Sequence, residues 1–275
     1  MKRTGIIMLR LIKVNLLRML RQPLFRAAVC GIGLIRFVYT FGDTEIYRRV
    51  LTERSWRPDL LYLAAMYGWG SSLLPYINLC LAALPAILLY IQDDRSGRMS
   101  VLLPRTGWGC YALAQAFSAA GGAFLCMLGG DLLFFLVGHF GLGLPIGSSC
   151  SVGISSSLLE AENYWGGLLV YEAMNGILAA FLTLLASAVA GVVRDAQFVV
   201  ILPMILQFFF TYSWADFTLT VGLPKWTSPK FVYMFDWSPF RKDELKLGFA
   251  LGHMFLTALA VSLLLYVLIR RRYRR

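Results

Sequence analysis

Six long apolar stretches limit what this chain of 275 residues can fold into. Each approaches the ~20 residues that an α-helix needs to cross about 30 Å of hydrocarbon. Inside a bilayer every backbone polar group must be satisfied within the protein, and apolar runs of this length indicate helices. The sequence therefore predicts an all-α integral membrane protein with six transmembrane helices. They are expected at residues 24–41, 71–91, 108–137, 166–193, 198–217 and 247–269.

The composition favours lipid as the solvent of much of the chain. Hydrophobic residues make up 58% of it and charged residues 15%, whereas a soluble domain has about 45–50% and about 25%. The net charge is +11, and the basic residues gather beside the apolar stretches and at both chain ends. This distribution is typical of segments held at an anionic membrane surface. We therefore expect membrane lipid as a partner, and no nucleic acid.

Residues 1–22 are expected to form an amphipathic helix in the membrane interface. Met8, Ile12, Leu16 and Met19 share one apolar arc at helical spacing, and the lysines and arginines lie opposite. Long basic side chains can reach the headgroups while the apolar arc enters the bilayer. This helix is expected to be followed by one six-helix transmembrane domain, residues 23–275.

The distribution of basic residues predicts the orientation. With both termini on the cytoplasmic side, the cytoplasmic segments hold sixteen lysines and arginines and the outer segments nine. Cytoplasmic loops carry the excess of positive charge. Both termini are thus expected inside, with a cytoplasmic segment at 93–107 and outer loops at 42–70, 139–165 and 218–246.

The sequence lacks the usual components of catalytic or metal chemistry. His139 and His253 fall in different segments, and neither has a carboxylate or a second histidine at ligand spacing. No glycine-rich phosphate loop ending in lysine occurs, nor a serine-nucleophile or zinc-protease motif. We expect no catalytic residue, metal or cofactor on this chain, and any ATP would be bound by another chain.

Three ionisable residues, Arg36, Asp131 and Glu172, fall inside predicted spans. Such groups are costly in lipid and are usually paired or directed at a cavity. Counted along their spans, all three reach a similar depth toward the outer leaflet. We expect Arg36 to pair with Asp131 or with Glu172, and the cluster to border the outer part of a transport pathway.

The cytoplasmic segment 93–107 carries the most informative pattern. Acidic residues open it, Gly97 permits a sharp bend, and a Leu-Leu pair is followed by Pro104 and a basic residue. Here the sequence resembles the permease subunits of ABC transporters of the ABC-2 class, which show this order of residues directly after their second helix. The amphipathic first helix and the count of six spans are also similar to that family.

The resemblance implies a short coupling helix that docks into a separate ATPase subunit, which binds ATP and Mg²⁺. The partners it implies are this ATPase and a second permease copy or paralogue, together forming a dimeric pathway. It further implies an exporter in a bacterial plasma membrane. An apolar pathway with few charges suits amphipathic cargo, and amphipathic peptides or hydrophobic drugs are expected ahead of lipids. The residues it assigns to ATPase coupling are Asp93, Asp94, Arg95, Gly97, Arg98, Leu102, Leu103, Pro104 and Arg105.

Three alternatives remain open from the sequence. An ion-coupled secondary transporter would need charged groups at mid-membrane and no ATPase partner. A membrane enzyme acting on lipid would use Asp131 or Glu172 as acid or base, although no nucleophile or phosphate clamp accompanies them. The third is a membrane scaffold.

Overall fold

The computed structural model describes residues 2–42, 74–146, 164–190, 195–209 and 262–271, with a few single positions between these ranges. All the regular structure in these ranges is helical, which confirms the all-α expectation for this part of the chain. Residues 262–271 are helical, and seven further helices are described. They are α1 (Lys2–Arg21), α2 (Pro23–Phe41), α3 (Leu74–Arg95), α4 (Arg98–Thr106), α5 (Trp108–Leu136), α6 (Tyr164–Ala190) and α7 (Ala196–Phe208).

Three helical stretches are long and apolar enough to cross a membrane: Pro23–Phe41, Tyr76–Arg95 and Trp108–Gly141. They coincide with the first three predicted spans. Of two shorter apolar stretches, Asn175–Ala190 falls within the fourth predicted span and Ala196–Phe208 overlaps the fifth. The membrane character is therefore supported by three helices, and the count of six spans stays a prediction.

The break between α1 and α2 follows from proline. Pro23 occupies the first turn of α2, where its missing N–H is not needed, and Gln22 before it is extended at φ −68° and ψ 137°. α1 can therefore change direction into α2 within one residue. The interfacial helix expected at 1–22 thus corresponds to a separate helix in the structure.

The predicted loops lie mostly outside the described residues. This holds for all of 218–246 and for most of 42–70 and 139–165. At the start of the last range, α5 continues into a π-helical turn, Val137–Gly141. The helix therefore extends beyond the expected boundary at 139.

The helices alternate in direction around α5. Met19 lies against Gly122 and Ile32 against Gly130, so the chain from α1 into α2 runs parallel to α5. In contrast, Gly176 of α6 lies against Phe124, and the earlier Glu172 interacts with the later Asp131. α6 is therefore antiparallel to α5, as expected for consecutive passes through a membrane.

Buried apolar side chains join the ends of several helices at the level of α4. Met99 and Leu103 of α4 pack in one cluster with Tyr90, Tyr111 and Ile269. Tyr266 also lies against Gly109 at the start of α5. Segment 262–271 is thus anchored at the end of the bundle that carries α4, called the α4 end below.

Candidate functional site

The segment between α3 and α4 turns sharply at Gly97. Its φ of 70° lies in the left-handed region, which glycine adopts without steric cost. The backbone N–H of Gly97 donates to the carbonyl of Asp94 at 3.2 Å, and that of Ser100 donates to the carbonyl of Gly97 at 3.1 Å. This turn ends α3 and starts α4 directly, so α4 lies across the end of the bundle.

α4 is amphipathic, and its two faces have different surroundings. Met99 and Leu103 are buried in the bundle, whereas Val101 is 54% exposed and Pro104 and Arg105 are also exposed. Among the predicted coupling residues, Leu103 is therefore the one that packs α4 onto the bundle. Arg95, Gly97, Pro104 and Arg105 are on the exposed side, and Leu102 and Arg98 are half-buried.

Asp93 is directed into the protein. Arg18 of α1 donates to both of its carboxylate oxygens, from Nη1 and Nη2, at 2.9 Å each. Arg98 at the start of α4 adds a longer contact of 3.5 Å, and the Asp93 side chain is only 4% exposed. The hydrogen bond to Asp93 raises the pKa of Arg18 above its ordinary value. One carboxylate therefore connects α1, α3 and α4.

Asp94 and Arg95, the next predicted coupling residues, line a cavity of about 340 Å³ at the α4 end. Tyr90 and Ile91 of α3 and Ala190 at the end of α6 complete its wall. The cavity combines charged and apolar lining beside the exposed turn at Gly97. Its size is sufficient for one or two side chains of another protein.

A second group of charges is buried inside the bundle. Arg36 of α2 donates from Nε to Oδ1 of Asp131 on α5 at 2.9 Å, and both side chains are at most 5% exposed. The structure thus pairs Arg36 with Asp131 of the two partners left open by the sequence. Close helix packing permits this short contact, because a Cβ on Gly130 would lie 2.5 Å from the side chain of Ile32.

Glu172 of α6 belongs to the same group. It is fully buried, and it interacts electrostatically with both Asp131 and Arg36. Asn175, one turn later on α6, donates from Nδ2 to Oε2 of Glu172 at 3.5 Å. The three ionisable residues predicted inside the spans therefore meet at one place between α2, α5 and α6.

No protein-family model, curated protein or solved structure matches this chain. What the protein does must be inferred from its helices and from the contacts of their charged side chains. In the part of the chain that the structure describes, no three histidine, cysteine, aspartate or glutamate side chains are grouped to hold a metal ion.

Two residues that hydrogen-bond to these buried carboxyl groups were not predicted from the sequence. Arg18 is one of several basic residues on the polar side of α1, and no pattern distinguishes it from its neighbours. Asn175 follows Glu172 at a spacing of three, which places both on one helix face and is a usable signal. Buried polar pairing also occurs between Asn15 and Gln115, whose side chains are 3.4 Å apart.

Proposed function

We propose that this chain is the transmembrane subunit of an ATP-driven exporter, an ABC-2-type permease that works as a dimer with separate ATPase subunits. The observation that carries the proposal is α4. A short amphipathic helix lies directly after α3, buries Met99 and Leu103, and exposes Val101 and Arg105 at the end of the bundle. An exposed apolar side chain among basic ones suits docking to a protein surface.

The connection through Asp93 supports a mechanical role for α4. Movement imposed on α4 by a partner would act on α3 through the turn at Gly97 and on α1 through the pair of Arg18 and Asp93. Since α1 also packs on α5 at Gly122, the displacement would reach three helices of the pathway. Binding at the ATPase would thus change the relative populations of two arrangements of the spans.

The alternating helix directions support six spans in a plasma membrane with both termini cytoplasmic. α1 and residues 262–271 both pack at the α4 end, where Arg18, Arg98 and Arg105 also lie. Basic residues favour the cytoplasmic side. This arrangement supports an even number of passes between these two ends.

An apolar groove supports amphipathic cargo such as peptides or hydrophobic drugs. The groove has a volume of about 420 Å³, lies between α2 and α5 beside the charged group, and exposes almost only apolar surface. Its wall includes Gly33, Leu34, Phe37 and Phe134. The direction of transport is proposed from the family resemblance.

The test is to purify the chain from its native membranes in mild detergent, identify co-purifying proteins and assay ATP hydrolysis. The wild type should retain an ATPase subunit in a stoichiometric amount. Val101→Asp should lose the ATPase, because a carboxylate replaces the exposed apolar contact on α4. Thr52→Asp is the matched control, since it adds the same charge at an exposed residue of the segment expected outside.

One observation favours a second candidate, an ion-coupled secondary transporter. Arg36, Asp131 and Glu172 are buried together between α2, α5 and α6, and ionisable groups buried inside a membrane bundle often belong to ion pathways. If the chain purifies without an ATPase and cargo movement depends on the proton gradient, this second function replaces the first.

A further inference from the structure

The charges buried between α2, α5 and α6 do not balance when all are ionised. Arg36 contributes one positive charge, and Asp131 and Glu172 would contribute two negative charges at exposures of 4%, 0% and 0%. Of the other basic residues on α2, α3, α5 and α6, Arg26 and Arg95 lie toward the α4 end. An uncompensated charge in this setting is expensive and is normally removed by protonation.

Other titratable groups that the described helices bring near do not supply the missing charge. Cys126 of α5 is buried close to Asp131, and Tyr76 of α3 packs in the same apolar cluster as Cys126. Both are neutral in their ordinary protonated forms. His139, just beyond α5, has its Nδ1 2.8 Å from the carbonyl of Leu144.

The hydrogen bonds of the individual carboxyl oxygens also indicate that one of the two carboxyl groups is protonated. Oδ1 of Asp131 accepts from Arg36, and Oε2 of Glu172 accepts from Asn175. Oδ2 of Asp131 and Oε1 of Glu172 are buried and have no hydrogen-bond partner among the described residues. The carboxyl group of Glu172 lies close to that of Asp131 and interacts with it electrostatically. Ionised carboxylates only accept hydrogen bonds, so two of them cannot bond to each other.

We propose that Asp131 and Glu172 form a proton-binding site in which one shared proton joins the two carboxyl groups beside Arg36. The cluster then carries one positive and one negative charge, and the proton lies between oxygens that otherwise lack a partner. Glu172 carries the proton, because the carboxylate that accepts from the guanidinium at 2.9 Å is that of Asp131. The site joins α2, α5 and α6, so it exchanges its proton with water only when these helices separate.

A bound sodium ion fits this place less well than a proton. Hard cations require about six oxygen ligands, and the cluster offers two free carboxyl oxygens beside a guanidinium that repels cations. A proton-binding site is compatible with an ATP-driven exporter and with an ion-coupled transporter. Its test therefore does not depend on whether an ATPase binds this chain.

The experiment is infrared spectroscopy of the purified chain in detergent at neutral pH, in H₂O and after exchange into D₂O. The wild type should show the C=O stretch of a protonated carboxylic acid, which shifts in D₂O once the three helices have opened and the proton has exchanged. The band should be absent in Glu172→Gln, which keeps the shape of the side chain without an acid group. Asp195→Asn is the control, since this exposed helix cap lies outside the cluster and should leave the band unchanged.

The Asp131→Asn variant distinguishes a proton shared by the two carboxyl groups from a proton that Glu172 binds without Asp131. Without Asp131, Glu172 becomes the counterion of Arg36 and ionises, so the band should disappear. Persistence of the band in Asp131→Asn would overturn the sharing. If either variant does not assemble, wild-type protein carrying ¹³C-carboxyl glutamate assigns the band through its isotope shift.

The absence of a protonated-carboxyl band in the wild type would refute the site. If the band shows no isotope shift with labelled glutamate, the proton is bound by another group, and the proposed site is also refuted. Should the band be absent and the thermal stability of the wild type rise when sodium replaces choline, the cluster binds a sodium ion instead.

Discussion

Arg18 donates two hydrogen bonds of 2.9 Å to the carboxylate of Asp93, a residue 75 positions later in the chain. The contact connects the first helix to the end of α3, at the point where the chain turns into α4. Because both oxygens of one carboxylate are used, the geometry resists rotation as well as separation. α1 is therefore held to the proposed coupling segment by a specific pair.

Replacing Arg18 should loosen this end of the bundle. Arg18→Gln removes the charge and the paired donors, and hydrogen bonds to charged groups contribute about 1.5–3 kcal/mol. Since Arg18 is about one-third exposed and Arg98 still contacts Asp93, we expect a loss of about 1–2 kcal/mol. The measurement is thermal unfolding in detergent. Arg21→Gln, on an exposed position of the same helix, should leave the melting temperature unchanged; equal losses in both variants would contradict the pair.

Two adjacent glycines of α5 should respond differently to alanine. A Cβ on Gly130 would lie 2.5 Å from two side-chain atoms of Ile32, close to its branch point, so α2 must move away. Overpacking of this kind costs about 1–3 kcal/mol. A Cβ on Gly129 meets only Val29 at 3.4 Å, an ordinary contact, and alanine also favours the helix by about 1 kcal/mol.

The expected order of stability is thus Gly129→Ala at or above wild type and Gly130→Ala clearly below it. Unfolding in mixed detergents measures both free energies. Equal stability of the two variants would show that α2 does not approach α5 at Gly130.

Removing the buried guanidinium should destabilise the chain more than removing the whole pair. Arg36→Met leaves two carboxyl groups without a cation, and breaking a buried pair costs about 3–5 kcal/mol. Adding Asp131→Leu removes the group that Arg36 contacts at 2.9 Å and should recover much of the loss. Adding Glu172→Leu instead should recover less. A greater recovery with Glu172→Leu would identify Glu172 as the main partner.

The turn before α4 should tolerate only residues that adopt a left-handed backbone. Gly97→Val is expected to cost about 1–2 kcal/mol, because a side chain at φ of 70° contacts its own backbone. Gly97→Asn should cost less, since asparagine visits this region more readily. Space is not the cause, because the nearest atom to a Cβ at this position is Oγ of Ser100 at 3.8 Å. Melting temperatures that fall equally for both variants would argue against the backbone explanation.

Local patterns predicted much of this fold. The proline after residue 22, the apolar runs and the glycine at 97 act on their own neighbourhoods, so α1, α2, α3, α4 and α5 begin and end close to their expected residues. The similar depth of Arg36, Asp131 and Glu172 was also predictable, because helix geometry converts residue number into distance along the membrane normal. The length of each apolar run and the charge beside it depend on the local sequence alone.

Which side chains pair was decided by the packing of the helices. From their depth alone, either carboxyl group could have paired with Arg36. The close approach of α2 to α5 at Gly130 brings Asp131 within hydrogen-bonding distance of Arg36. Likewise, Asp93 and Asp94 are adjacent acids in sequence, but only rotation about α3 directs Asp93 to Arg18 and Asp94 to a cavity. The sequence by itself determined the helical class, the long apolar helices and the position of the charges along them, since these follow from local hydrophobicity and helical rise. Only the tertiary structure decided the partners, because hydrogen bonds require distances near 3 Å that depend on how whole helices rotate and approach one another.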